Sequence, residues 1–196
     1  MAPSNGRTLQ YHYITRSRTL LRRGELLALR WQDIDWTFGR VSITRTLVRA
    51  DKYAEMREPK SQRSRRSVSL PPVLLEEFRR IHETQTARQR MLCDAYENNA
   101  LIFCQTNGRP LHAHNISQRD FKRVIRQARV PMLRFHDLRH VCATLMLRQG
   151  IHPKVVGEQL GHASVGVTLD VYSHVLPGMH EEAVRSLAGR LIEDTR

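Results

Sequence analysis

The chain has 196 residues, with 32 Lys plus Arg against 19 Asp plus Glu and a formal net charge of +13. Its 40 % apolar content excludes a wholly disordered chain. The basic excess points to a polyanionic partner, nucleic acid ahead of membrane. No apolar run reaches the roughly 18 residues of a membrane span. The first twenty residues lack the apolar stretch of a signal peptide. Cys93, Cys104 and Cys142 form no CxxC pair and read as buried thiols of a reducing compartment. The expected location is the cytoplasm.

The segment Arg22 to Trp31 carries apolar residues on one helical face, with Glu25 in the opening turn. Residues 35–40 then read as a turn. Val41, Ile43 and Leu47 share one side of an alternating strand. Two further short strands are expected between Tyr53 and Pro71, joined by a basic hairpin, with Lys60 where the first would end. Pro72 suits the first position of a helix that buries Leu74, Leu75, Phe78 and Ile81 and extends toward Tyr96. Residues 100–111 are a short apolar piece stopped at Asn107 and Gly108. Asn115 is the expected cap of a helix burying Ile116, Phe121, Val124 and Ile125. The other face of that helix carries Arg119, Lys122, Arg123, Arg126 and Arg129, as a solvated or a DNA-facing surface would.

The following helix is expected to bury Leu138, Val141, Cys142, Leu145 and Met146 and to end at Gly150. Pro153 starts a short helix that Gly161 stops. Ser164 caps the next one, which carries Tyr172, and a last helix covers residues 181–192. The pattern is an α+β fold, mainly helical, with a small three-stranded antiparallel sheet.

His136 and His140, four apart on one helix, raise a zinc reading with His162 as third ligand. Three features oppose it: the acid after the first histidine is Asp137 rather than Glu, Arg139 lies between the ligands, and nothing fixes His162 there. No cofactor or metal is expected. His136 and Arg139 on one helix face suit phosphate instead.

Read together, Arg-x-x-Glu at 22–25, Lys60 in its basic hairpin, His-x-x-Arg at 136–139, Leu-Gly-His at 160–162 and Thr-Leu-x-x-Tyr at 168–172 resemble the catalytic domain of tyrosine recombinases, the phage-integrase family. The resemblance covers residues 21–196, and residues 1–20 are read as an atypical, truncated N-terminal segment. It implies a metal-independent enzyme that breaks and rejoins DNA strands in site-specific recombination and integration. By that resemblance Arg22 and Arg139 hold the non-bridging phosphate oxygens, and Tyr172 attacks to form a 3′-phosphotyrosine. His136 assists with the tyrosine proton, His162 hydrogen-bonds the phosphate, and Lys60 protonates the 5′-oxygen. His140 and Asp137 are left as structural. The implied partners are double-stranded DNA, further copies of the chain in a tetramer, and accessory DNA-bending proteins, at a nucleoid of bacterial or phage-encoded origin and not at a membrane. Two rival readings stay open: a catalytically silent or truncated DNA-binding fragment, and a strand transferase like the type IB topoisomerases. One departure stands out, since Thr19-Leu20-Leu21 occupies the place where the family typically has Thr-Gly-Leu.

Overall fold

A computed structural model describes Thr15 and residues 19–50, 53–58 and 65–173. Helix α1 (Arg23–Leu27) leads through a 3-10 turn (Trp31–Asp33) into β1 (Ile34–Asp35), β2 (Arg40–Ile43), β3 (Thr46–Ala50), β4 (Tyr53–Arg57) and β5 (Arg66–Ser69). The long helix α2 (Pro72–Leu92) follows. A helical turn (Ala113–Asn115) and a π-helical turn (Ile116–Asp120) then run into α3 (Phe121–Ala128), and α4 (Asp137–Arg148), α5 (Pro153–Leu160) and α6 (Val165–Tyr172) complete the described part. The helical majority and the small antiparallel sheet agree with the α+β expectation. The last expected helix, at 181–192, lies outside the described residues.

The sheet is assembled differently from the sequence expectation. The alternating run from 40 to 48 breaks at Thr44 and Arg45 into two strands, and Ile34–Asp35, which had not been read as a strand, forms an edge. β1, β2 and β5 make one antiparallel sheet, with Val41 opposite Val68, while β3 and β4 make a separate two-stranded ribbon. The strands flanking the expected basic hairpin, β4 and β5, therefore pair with different partners. Arg45 donates to both oxygens of the buried Asp33 carboxylate at 3.0 and 3.1 Å, and this contact holds the chain at the break.

Three apolar clusters follow from the helical and strand periodicities. Val41, Ile43 and Val68 of the sheet pack on Leu74, Phe78 and Ile81 of α2 with Ile102 and Phe103. Pro72 does open α2, as its fixed φ and missing N–H allow. Leu27, Ile116, Phe121, Ile125 and Phe135 form the second cluster. Asn115 does not cap that helix: the helical backbone starts at Ala113, and the N-cap is the extended His112. The π turn makes Ile116 and Phe121, five residues apart, share the buried face. The third cluster joins Leu20, Ala143, Leu147, Val156, Leu160 and Tyr172.

Helix α4 buries a face shifted from the expected one: Leu138, Cys142 and Met146 are half-buried against the clusters as expected. Arg139, Ala143 and Leu147 are buried, while Val141 and Leu145 are exposed. The apolar pattern did not include Arg139, whose guanidinium α4 delivers to the interior. Ser164 does stand at the N-cap of α6, though its hydroxyl makes no capping hydrogen bond. Of the three cysteines only Cys104 is buried; Cys142 is half-buried and Cys93 exposed. Among the described residues, no helix is long and apolar enough to cross a membrane.

Candidate active site

Arg22 is the N-cap of α1, with an extended backbone that turns its side chain away from the helix. Glu25, three residues on, accepts from the Arg22 backbone N–H at 2.7 Å and from Arg22 Nη1 at 3.0 Å. This carboxylate-to-N-cap contact is half of a capping box. It explains the Arg-x-x-Glu spacing physically: Glu25 both starts the helix and aims the guanidinium. Arg22 Nη2 donates to the Gly161 carbonyl at 3.2 Å, which places it beside His162. Arg23 points elsewhere, to Ser117 Oγ at 2.6 Å. The two adjacent arginines are thus told apart by their partners.

Glu25 is 4 % exposed and also receives both terminal nitrogens of Arg66, at 3.0 and 2.9 Å. Arg66 Nε donates to the Gln159 carbonyl at 3.1 Å. Arg66 therefore ties β5 to α1 and to the end of α5. Sequence reading missed it, although one signal was present. Along β5, Arg66 has the same parity as the buried Val68, which puts a charge on the inward face. Burial raises the Glu25 carboxyl, but hydrogen bonds and charge from Arg66, then from Arg22, outweigh burial and hold it below its ordinary value.

Gly161 ends α5 at φ 65°, in the left-handed region. A Cβ there would lie 2.7 Å from Arg66 Nη1. Glycine is required on both counts, and the turn it makes presents His162. His162 Nδ1 is hydrogen-bonded to Thr168 Oγ1 of α6 at 2.9 Å. Burial, and then the charges of Arg139, Arg22, His140 and Arg66, push its pKa down to about 4.

Arg139 is buried and donates through Nη1 to the Leu20 carbonyl and through Nη2 to the Leu160 carbonyl. Leu20 itself has φ 55°, the region that favours glycine. It is the position at which the resembled family has glycine, and its backbone serves as an anchor for Arg139. Thr15 and Thr19 are helical, and the Thr19 hydroxyl donates to the Thr15 carbonyl at 2.6 Å, in a stretch where the sequence suggested no helix.

Tyr172 lies at the end of α6, in the cluster that contains Leu20 and Leu160. Its hydroxyl is 2.9 Å from His140 Nδ1. His136 is the exposed N-cap of α4, and its ring meets the His140 ring edge-on at 5.0 Å between centroids. The histidine touching the tyrosine hydroxyl is therefore His140, which the sequence reading had left as structural. Lys60 lies outside the described residues. Of the other five expected site residues, Arg22, Arg139 and His162 gather around the α5–α6 turn, Tyr172 packs with Leu160 from the far end of α6, and His136 contacts the His140 ring. Beside it opens a pocket of about 460 Å³ whose lining includes Arg23, Lys122, Arg134 and His136. Among the described residues, no three His, Cys, Asp or Glu side chains are grouped as metal donors.

The phage integrase family model matches residues 15–178. The chain is 29 % identical over 194 residues to a XerC-like tyrosine recombinase of Caldanaerobacter subterraneus subsp. tengcongensis, covering 93 % of this chain and 49 % of the relative. It is 30 % identical over 187 residues to the ICEBs1 integrase of Bacillus subtilis, covering 95 % of this chain and 50 % of the relative. It thus spans about half the length of these relatives. Its fold is similar to that of the Tn1549 transposon integrase in complex with transposon right-end DNA, with a TM-score of 0.75, 20 % identity, and coverage of 93 % of this chain and 58 % of that one. It is also similar to the XerH site-specific recombinase bound to difH substrate, with a TM-score of 0.67, 24 % identity, and coverage of 94 % and 48 %. Motif order, site geometry and family match agree: this chain belongs to the phage integrase family, with the tyrosine recombinase catalytic fold.

Proposed function

We propose that this chain cleaves and rejoins DNA in site-specific recombination, with Tyr172 as the nucleophile. The observation that carries the reading is the convergence of Arg22, Arg139 and His162 on the turn that α6 leaves toward Tyr172. The two guanidinium groups supply planar donors and fixed positive charge for one phosphate, whose non-bridging oxygens gain charge as phosphorus becomes five-coordinate. His162 adds a neutral hydrogen-bonding ring. Tyr172 Oη forms the new bond to phosphorus and the P–O5′ bond breaks, giving a 3′-phosphotyrosine. A histidine of the His136–His140 pair on α4 takes the tyrosine proton, and Lys60 gives the 5′-oxygen its proton. Exchanging one phosphodiester for another conserves bond energy, so religation needs no nucleotide cofactor, and the arginine pair fills the charge-stabilising role a metal has elsewhere.

The partner is double-stranded DNA, gripped first through its phosphates. Support comes from the net charge and from Arg119, Arg123, Arg126 and Arg129, all exposed along the helix that contains α3. Two structural neighbours, the Tn1549 transposon integrase and the XerH recombinase, are themselves bound to DNA or to a difH substrate, which supports the same partner. Assembly of further copies on the DNA, accessory bending proteins and action at the nucleoid complete the proposal.

The test uses nicked duplexes with a randomised core, in which the strand 3′ of cleavage diffuses away and traps the intermediate. The full chain, with EDTA present, is expected to give an adduct that survives denaturant, and Tyr172→Phe none. No adduct from any duplex, or an adduct that requires a divalent metal, contradicts the proposal. Relaxation of a plasmid without exchange between two sites would favour the topoisomerase-like reading.

A further inference from the structure

We infer that His140 is a catalytic residue of this site, the group that orients the Tyr172 hydroxyl and takes its proton as the tyrosine attacks. The inference rests on the recombinase reading and deepens it.

His140 Nδ1 lies 2.9 Å from the Tyr172 oxygen, within the range of a direct hydrogen bond. With the ring proton on Nε2, Nδ1 accepts from the hydroxyl. Attack then moves one proton and one bond pair: the Tyr172 O–H proton goes to His140 Nδ1, the phenol oxygen bonds to phosphorus, and the P–O5′ bond electrons leave with the 5′-oxygen, which the acid protonates. When the strand rejoins, the same proton returns to the phenol.

The surroundings make a neighbouring base necessary. Burial raises the Tyr172 phenol, the Arg139 charge works against that, and the nearby Cys142 adds to the rise. The net result is a phenol held protonated, which is a poor nucleophile. The other imidazoles are placed less directly. His162 Nδ1 is engaged with Thr168 on α6 itself. His136 meets the His140 ring edge-on, with 5.0 Å between centroids, and His140 carries the contact to the tyrosine. Each half of the contact is held from behind. Tyr172 is packed by Leu160 and Leu20, and His140 follows Arg139, whose two backbone contacts fix the first turn of α4.

The test compares His140→Asn with the parent on a duplex that forms adduct with the parent. Asparagine Oδ1 sits close to where Nδ1 stands, so it keeps an acceptor but cannot carry the proton. Adduct formation should slow by roughly 10²–10⁴-fold, the usual loss for a general base. Site-specific 3,5-difluorotyrosine at 172 acidifies the phenol and lessens the need for a base. It should restore most of the rate in His140→Asn and change the parent little. A His140→Asn rate equal to the parent's, or a slow variant that the fluorinated tyrosine leaves slow, overturns the inference. A third measurement leaves residue 140 intact: the ¹⁵N resonance of His140 Nδ1 should move when Tyr172→Phe removes the hydroxyl, and no movement overturns the inference. Failure of the parent itself to form adduct rejects the underlying recombinase reading, and the parent lane shows that separately.

Discussion

Glu25 and Arg66, separated by 41 positions, meet through two nitrogen–oxygen contacts at 3.0 and 2.9 Å, with both side chains almost fully buried. The pair ties together two parts of the site: Glu25 holds Arg22, and Arg66 holds the α5 end that carries Gly161 and His162. Removing one member of a buried pair leaves a charge without its partner, which costs about 3 kcal/mol or more. Arg66→Met is therefore expected to lose about 3 kcal/mol in urea unfolding, and Arg66→Lys less, because it keeps the charge but not the fork. The pair also gives stability a pH dependence. The folded Glu25 carboxyl is held below its ordinary 4.5, so its contribution is complete above that value and is lost as pH falls below it. Glu25→Gln should flatten the stability curve in that acid range. An unchanged acid limb in Glu25→Gln contradicts the assignment.

His162 offers a direct check on how closely the charged groups gather. Its folded pKa of about 4 lies below the ordinary 6.5, so the folded ring is neutral at pH 7. Protonating it opposes folding, and the corresponding stability is lost as pH falls from about 6.5 toward 4. Histidine NMR should show one ring titrating near 4. Arg139→Ala removes the largest cause after burial and should raise that value. A His162 that titrates at its ordinary value in the parent would mean the ring is neither buried nor beside the arginines.

Leu20 tests the anchor of Arg139 by magnitude. Its left-handed backbone carries a strain of about 1–2 kcal/mol that glycine would relieve. Its side chain is 1 % exposed and packs with Leu160 and Tyr172, and truncating such a leucine costs about 2–5 kcal/mol. The packing loss is the larger, so Leu20→Gly should unfold at lower denaturant than the parent. A more stable variant would show that backbone strain, not the packing around Tyr172, dominates there.

Much of this site was legible in the sequence because its signals are local. Arg22 and Glu25 lie within one helical turn, Gly161 stops a helix, and Pro72 starts one. What was not legible depends on contacts between distant segments. No periodicity pairs β5 with β2 instead of β4, or tells that Arg139 rather than Leu145 faces inward on α4. His140 looked like a spare histidine because its partner, Tyr172, is 32 positions away. The break at Thr44 and Arg45 is set by Asp33, again through a tertiary contact.

Lys60, assigned as the general acid, makes a different demand on the leaving group than the arginines do. An alkoxide needs a proton as it departs, whereas a thiolate, with an ordinary pKa of about 8.5, does not. With sulfur in place of the bridging 5′-oxygen, Lys60→Ala should cleave almost as fast as the parent. On the oxygen substrate it should be slower by roughly 10²–10⁴-fold. Arg22→Ala and Arg139→Ala should remain slow on both. Equal rescue of the arginine variants, or none for Lys60→Ala, removes Lys60 from that role.

The central claim is that Tyr172 becomes covalently joined to DNA. The chain has five tyrosines, so the site of attachment is decisive. Trapped adduct digested with protease and nuclease should yield one modified peptide in mass spectrometry. The account predicts a nucleotide 3′-phosphate on the peptide containing Tyr172, and no other modified peptide. A nucleotide on Tyr11, Tyr13, Tyr53 or Tyr96, or on a serine or cysteine, would contradict it.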